Sequence, residues 1–82
     1  MNKHHDAIVA FMHEKDKTLL CNKFNIMIEI LHKDGSHFSL HNSIVEEQIF
    51  EGNGLLLVWT EHCGYFYFFK EDLDHWIKYK QV

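Results

Sequence analysis

The chain lacks arginine and proline, and its eight strongly basic residues are all lysines. Arginine is the side chain that best forms paired hydrogen bonds with phosphate and guanine, so its absence disfavours nucleic-acid recognition. Apolar runs stay well below the roughly 20 residues that a membrane-spanning helix needs. The segment after Lys3 is too short and too soon interrupted by His13 for a signal peptide. We therefore expect a cytoplasmic protein, either in a bacterium or in a host cell, with no membrane association.

Cysteine and glycine are also scarce. Cys21 and Cys63 permit one disulfide, but without an export signal we expect reduced thiols. The Gly52-Asn53-Gly54 segment lacks the lysine and spacing of a phosphate-binding loop and fits a turn. The lysine-only, asparagine-rich and isoleucine-rich composition is typical of AT-rich genes of bacteria and their phages.

Acidic residues concentrate in one part of the chain. Residues 1–42 carry five acids and five lysines, whereas residues 43–74 carry seven acids and only Lys70. An acidic surface repels phosphate, which makes direct nucleic-acid binding unlikely and favours a basic protein as the partner. Such a partner could itself be a nucleic-acid-handling protein.

The 82 residues, of which 46% are hydrophobic, indicate a single folded domain covering residues 1–82. In residues 4–16, Ile8, Phe11 and Met12 recur at helical spacing, which predicts a first helix with Asp6 available as its cap. Residues 17–23 are interpreted as a connector.

Alternating residues then predict two strands, one from Phe24 and one through Phe38 and Leu40. A three-residue loop at residues 33–35 places Ile30 opposite Phe38 and Ile28 opposite Leu40, which keeps one face apolar.

The second half is less clear. Ser43 and Glu46 resemble a capping box and predict a short helix over residues 43–52, with a strand from Val45 to Phe50 as the alternative. Two aromatic-rich runs, at residues 55–59 and 65–69, predict a hairpin. A loop at residues 62–64 would place Trp59 opposite Tyr67. A last helix is predicted after Asp72, from the spacing of Leu73, Trp76 and Ile77.

These elements predict an α+β fold with an antiparallel four-stranded sheet and two or three helices, in the order αββαββα. The two halves match at an offset of 29 residues, since Gly35 falls on Gly64 and Ser43 on Asp72. This match suggests a ββα pseudo-repeat, with chance as the alternative.

Eight histidines suggest a metal site, for which His37 and His41 are the weak candidates. On one strand they would lie roughly 13 Å apart, too far to chelate one ion. The simpler interpretation is solvated strand histidines, with no metal and no cofactor.

Catalytic patterns are equally weak. His62 and Cys63 are adjacent, so in an extended segment their side chains would point to opposite faces. The Glu46-Glu47 pair is explained as a complement to a helix dipole. We therefore expect a protein that is not an enzyme.

The hairpin carries more aromatic residues than one sheet face needs. The simpler expectation is that helices and the other hairpin bury most of both faces. The functional hypothesis is an exposed patch for a protein partner or a homodimer. The residues assigned to this patch, with the neighbouring acids, are Trp59, Glu61, Tyr65, Tyr67, Glu71, Asp72 and Asp74.

The sequence thus favours a small acidic, non-enzymatic protein-binding or inhibitor module of bacterial or phage type. Immunity proteins, antitoxins and anti-defence factors are the classes in view, acting on a basic, nucleic-acid-handling protein. The alternatives are a histidine-rich metal-binding module or small enzyme, and a structural homo-oligomer.

Overall fold

The described part of the chain combines one α-helix with one antiparallel sheet of five strands, in the order β4-β3-β2-β1-β5. The structure is a computed structural model that describes residues 3–20 and 22–81. Its elements are α1 (Lys3–Leu19), β1 (Ile26–His32), β2 (His37–Phe50), β3 (Asn53–Thr60), β4 (Gly64–Phe69), a 3-10 turn (Lys70–Asp72) and β5 (Leu73–Lys80). The predicted four-stranded sheet with two or three helices in the order αββαββα is therefore wrong.

The first helix is confirmed and is longer than predicted. Ile8 and Met12 are buried, and Phe11 packs against the same cluster. Asp6 lies in the first turn of α1 rather than at its cap, where a carboxylate still complements the helix dipole. The predicted connector at residues 17–23 is wrong in its first part, because α1 continues to Leu19. Cys21 lies outside the described residues.

The helix predicted over residues 43–52 is instead the second half of β2. Ser43 does not cap a helix: its buried Oγ donates hydrogen bonds to the carbonyl oxygens of Leu40 (3.2 Å) and His41 (3.3 Å). This half of β2 pairs with β3 along its whole length, from Ser43↔Thr60 to Phe50↔Asn53. Non-local strand pairing outweighs the local capping signal, and the strand alternative is the correct one.

The last predicted helix is also a strand. After the 3-10 turn, β5 pairs antiparallel with β1, placing Trp76 beside Ile30 and Ile77 beside Glu29. Without β5, one side of β1 would have no strand partner. Tryptophan, isoleucine and tyrosine, the residue types at positions 76, 77 and 79, are also frequent in strands. The ββα pseudo-repeat is wrong for the same reason, since neither half ends in an α-helix.

The register of the first hairpin is confirmed. Ile30 pairs with Phe38 and Ile28 with Leu40, and both isoleucines are fully buried. The alternation of apolar residues therefore fixes both the pairing and the buried face of this hairpin.

The register of the β3–β4 hairpin differs from the prediction. Its loop is residues 61–63, so Trp59 pairs with Tyr65 rather than with Tyr67. The loop begins one residue earlier than predicted because Thr60 holds it in place: Thr60 Oγ1 accepts a hydrogen bond from the Cys63 amide (3.0 Å) and donates one to the Gly64 carbonyl (2.6 Å). Gly64 has a φ of 85°, a left-handed conformation that glycine adopts without strain.

A bend in β2 curls the sheet on itself. Asn42 has a φ of 50° and lies beside Ser43, the residue at which the partner of β2 changes: the strand pairs with β1 from His37 to Ser43 and with β3 from Ser43 to Phe50. The short 3-10 turn joins β4 and β5, the two edge strands of the sheet, so the last residue of β4 and the first residue of β5 lie close together although the two strands do not pair with each other. The inner face then forms one buried cluster from all five strands: Ile28, Ile30, Leu40, Leu56, Val58, Phe68 and Leu73, with Val45 packed against them.

The outer face of β3 and β4 is covered by α1. A second cluster here contains Ile8 and Met12 of the helix with Leu55, Leu57 and Trp59 of β3. Both faces of the aromatic hairpin are thus used in packing: the curled sheet covers one and the single helix covers most of the other. The end of the hairpin, residues 61–65, is exposed beyond this cover.

Candidate partner-binding site

A groove of about 390 Å³ lies where the C-terminal end of α1 meets the tip of the β3–β4 hairpin. We call it the hairpin-tip groove. Its lining residues are Asp16, Leu20, Phe24, Trp59, Thr60, Glu61, His62, Gly64 and Tyr65. The groove therefore combines apolar and aromatic walls with two carboxylates.

Trp59 is the most buried residue of the groove, with 1% of its surface exposed. Its ring lies 6.4 Å from that of Tyr65, centroid to centroid, on the outer face of the hairpin. The Trp59 indole N–H has no hydrogen-bond acceptor within the described part of the chain. A buried donor left unpaired costs about 1–3 kcal/mol. Lysine and arginine side chains carry donors only, so the contribution of Trp59 to binding a basic side chain is its ring and not this N–H.

Tyr65 connects the hairpin to the helix. Its hydroxyl donates a hydrogen bond to the Asp16 carboxylate, and this bond, with lesser contributions from burial and from the Asp16 charge, raises the pKa of Tyr65 above 10.0. The ring of His13 lies edge-on to Tyr65 at 5.5 Å. Tyr65 nevertheless keeps 37% of its surface exposed, so its ring can contact a partner.

The second carboxylate of the groove belongs to the hairpin loop. Glu61 Oε1 lies 2.8 Å from His62 Nε2, and both side chains are largely exposed. Lysine is absent from the described lining residues, so the two carboxylates face no strongly basic group of the groove itself. The groove suits a cationic group with an apolar stem, as in the side chains of lysine and arginine.

The residues assigned to a partner from the sequence fall into three places. Trp59, Glu61 and Tyr65 line the hairpin-tip groove. Tyr67 faces α1, where its hydroxyl lies 2.7 Å from His5 Nδ1. The acids Glu71, Asp72 and Asp74 follow the opposite end of β4, which at six residues is about 20 Å long.

Sequence reasoning missed Asp16, Leu20 and Phe24. They come from the end of α1 and the segment after it, which are distant in sequence from the hairpin. The sequence contained one signal for Leu20, because it is a large apolar residue that does not belong to the predicted helix face. The structure shows it exposed. Pairing it with the hairpin tip requires the tertiary fold.

The candidate metal residues lie elsewhere. His37 Nε2 is 3.7 Å from Glu29 Oε1, a carboxylate that also accepts hydrogen bonds from Tyr79 (3.0 Å) and Ser39 (3.4 Å). His41 is exposed on the same strand. Within residues 3–20 and 22–81, three or more metal-ligating side chains do not come together.

A second surface depression differs from the groove in how its charged side chains are paired. It lies beside Gly54, where Lys70 is bound to Glu47 and Lys78 is 4.0 Å from the same glutamate. The Lys70 hydrogen bond and charge lower the pKa of Glu47. Charges here are matched within the protein, whereas the residues described as lining the hairpin-tip groove include two carboxylates and no lysine.

In the described part of the chain, α1 is neither long nor apolar enough to cross a membrane. Comparison with known proteins finds no family, no curated protein and no solved structure that matches this chain.

Proposed function

We propose that this protein is a non-enzymatic protein-binding module whose hairpin-tip groove receives a basic side chain of another protein. The observation that carries this proposal is the composition of the groove: the ring of Trp59, the exposed ring of Tyr65, and the carboxylates of Asp16 and Glu61. Tryptophan and tyrosine are the residue types most enriched at the centres of protein interfaces.

The charge distribution supports a basic partner. Residues 43–74 hold seven acids and one lysine, and that lysine is bound to Glu47. Such a field attracts a basic protein surface and repels the phosphate backbone of a nucleic acid. An inhibitor, immunity protein, antitoxin or anti-defence factor of a bacterial or host cytoplasm, directed at a nucleic-acid-handling protein, fits this chemistry.

Affinity purification with matched charge variants tests the proposal. The wild-type chain should recover a basic protein in stoichiometric amount, and Glu61→Lys should lose it because a lysine at the groove repels the incoming cation. Glu14→Lys makes the same charge change at an exposed position of α1 outside the groove lining and should keep the partner. Equal recovery by both variants, or recovery of no stoichiometric protein by the wild type, would contradict the proposal.

A further inference from the structure

The free edge of β4 runs away from the hairpin-tip groove. β4 is the last strand of the sheet order and pairs only with β3. Apart from the β3 ladder and the 3-10 turn that begins after Phe69, none of the backbone hydrogen bonds described for the chain uses a residue of β4. In an antiparallel strand, alternate residues direct both N–H and C=O toward the unpaired side. β4 therefore offers a row of backbone donors and acceptors to an added strand.

This edge lacks the devices that normally prevent strand addition. Natural edge strands are protected by charged residues, proline or a bulge. β4 has the sequence GYFYFF, with no charge and no proline, and it pairs with β3 in continuous register from Gly64 to Phe69. An unprotected aromatic edge on a small domain is a binding feature or an aggregation hazard.

The charges at the two ends of β4 identify the kind of strand that fits. Glu61 and Asp16 lie at the hairpin end, and Glu71, Asp72 and Asp74 follow the other end. The strand is about 20 Å long, so an added strand running its full length would reach from the loop that contains Glu61 to the 3-10 turn that contains Glu71 and Asp72. Lysine or arginine toward both ends of that strand would meet opposite charge.

We propose that the partner binds as an extended, basic segment that adds to the free edge of β4 as a sixth strand. Backbone hydrogen bonds to β4 provide affinity, and side chains of the added strand on the outer face lie beside the exposed ring of Tyr65. A basic side chain near one end enters the hairpin-tip groove. The proposal rests on the proposed function for its choice of a protein partner, and adds the geometry of binding.

The test uses synthetic peptides of about nine residues that alternate arginine with valine, long enough to pass along all of β4. Three forms are titrated into the full chain by calorimetry: the plain peptide, and two forms with backbone N-methyl groups on alternate residues in either phase. N-methylation removes the donors from one edge of the peptide only. A peptide that alternates glutamate with valine controls for charge.

The plain peptide should bind, one N-methylated form should lose at least about tenfold in affinity, and the other should keep most of it. The glutamate peptide should not bind. Equal affinity of both N-methylated forms would overturn strand addition, as would no detectable binding of the plain peptide.

Self-pairing is a separate outcome of the same experiment. If the free protein associates with increasing concentration, and β4 amides become protected without peptide, the occupant of the edge is a second copy and the proposal is overturned. The proposed function is judged separately, by loss of the natural partner in Glu61→Lys: strand addition can fail while that loss persists, because a side chain can enter the groove without backbone pairing.

Discussion

The two free edges of the sheet, β4 and β5, are built differently. β5 carries Asp74, His75, Lys78 and Lys80 and is exposed along most of its length, whereas β4 carries only glycine and aromatic residues. Charged residues on β5 discourage strand addition, and β4 has no equivalent. The comparison shows that β4 is an uncharged aromatic strand although it lies in the acidic part of the sequence. Acidic residues lie beyond both of its ends.

The two strands also differ in what they contribute to the core. Phe68 of β4 is 7% exposed in the inner cluster, whereas Ile77 of β5 is 46% exposed on the outer face. Phe68→Ala should lower the free energy of unfolding by about 3 kcal/mol, and Ile77→Ala by less than about 1 kcal/mol. Urea denaturation checks both. Equal losses would show that Ile77 is as buried as Phe68 and would contradict the assignment of the two faces.

A second prediction concerns the effect of a charged residue on β4, of the kind that β5 already carries. Tyr65→Lys places a charge on the unprotected edge and in the groove, and should weaken binding of the arginine–valine peptide about tenfold or more. Tyr79→Lys makes the same change on β5, at a tyrosine of similar exposure (41% against 37%), and should leave binding unchanged. Calorimetry measures both variants. A similar loss in the two would remove the distinction between the edges.

The smallest predicted effect is a loss of stability when the same two tyrosines ionise at alkaline pH. A hydrogen bond to Asp16 raises the pKa of Tyr65, and one to Glu29 raises the pKa of Tyr79, both from 10.0. A raised pKa in the folded state means that the stabilisation is complete below the unfolded value of about 10 and is lost as the pH rises through the folded value.

Ultraviolet titration of tyrosine should therefore show a late-titrating component that shrinks in Asp16→Asn and in Glu29→Gln. Asp16→Asn should also loosen the contact between α1 and β4, whereas Glu29→Gln should affect only the β1–β5 side. Unchanged titration in both variants would contradict the two hydrogen bonds.

The first half of the fold could be predicted because its signals are local. Ile8 and Met12 repeat at helical spacing, and alternation from Ile26 to Leu40 sets both the strands and their register. The second half could not, because its local signals are ambiguous. Leu73, Trp76 and Ile77 fit helical spacing as well as a strand, and only the unpaired side of β1 decides between them.

Part of the lining of the candidate site could be anticipated from the sequence. Trp59, Glu61 and Tyr65 stand out as surplus aromatics beside an acid, and the structure brings them into one groove. Asp16 could not be identified from sequence, because only the packing of α1 on the curled sheet places it beside Tyr65. The free edge of β4 was hidden for the same reason: with β5 assigned as a helix, the order of strands in the sheet was unknown.

Hydrogen exchange of the backbone amides in the complex tests the central claim most directly. With the arginine–valine peptide at saturation, the amides on the free side of β4, within residues 64–69, should exchange at least about tenfold more slowly, while those of β5 keep their rates. Slower exchange confined to the end of α1 and the hairpin loop, with β4 unchanged, would contradict the account of β4 as the edge that receives the partner.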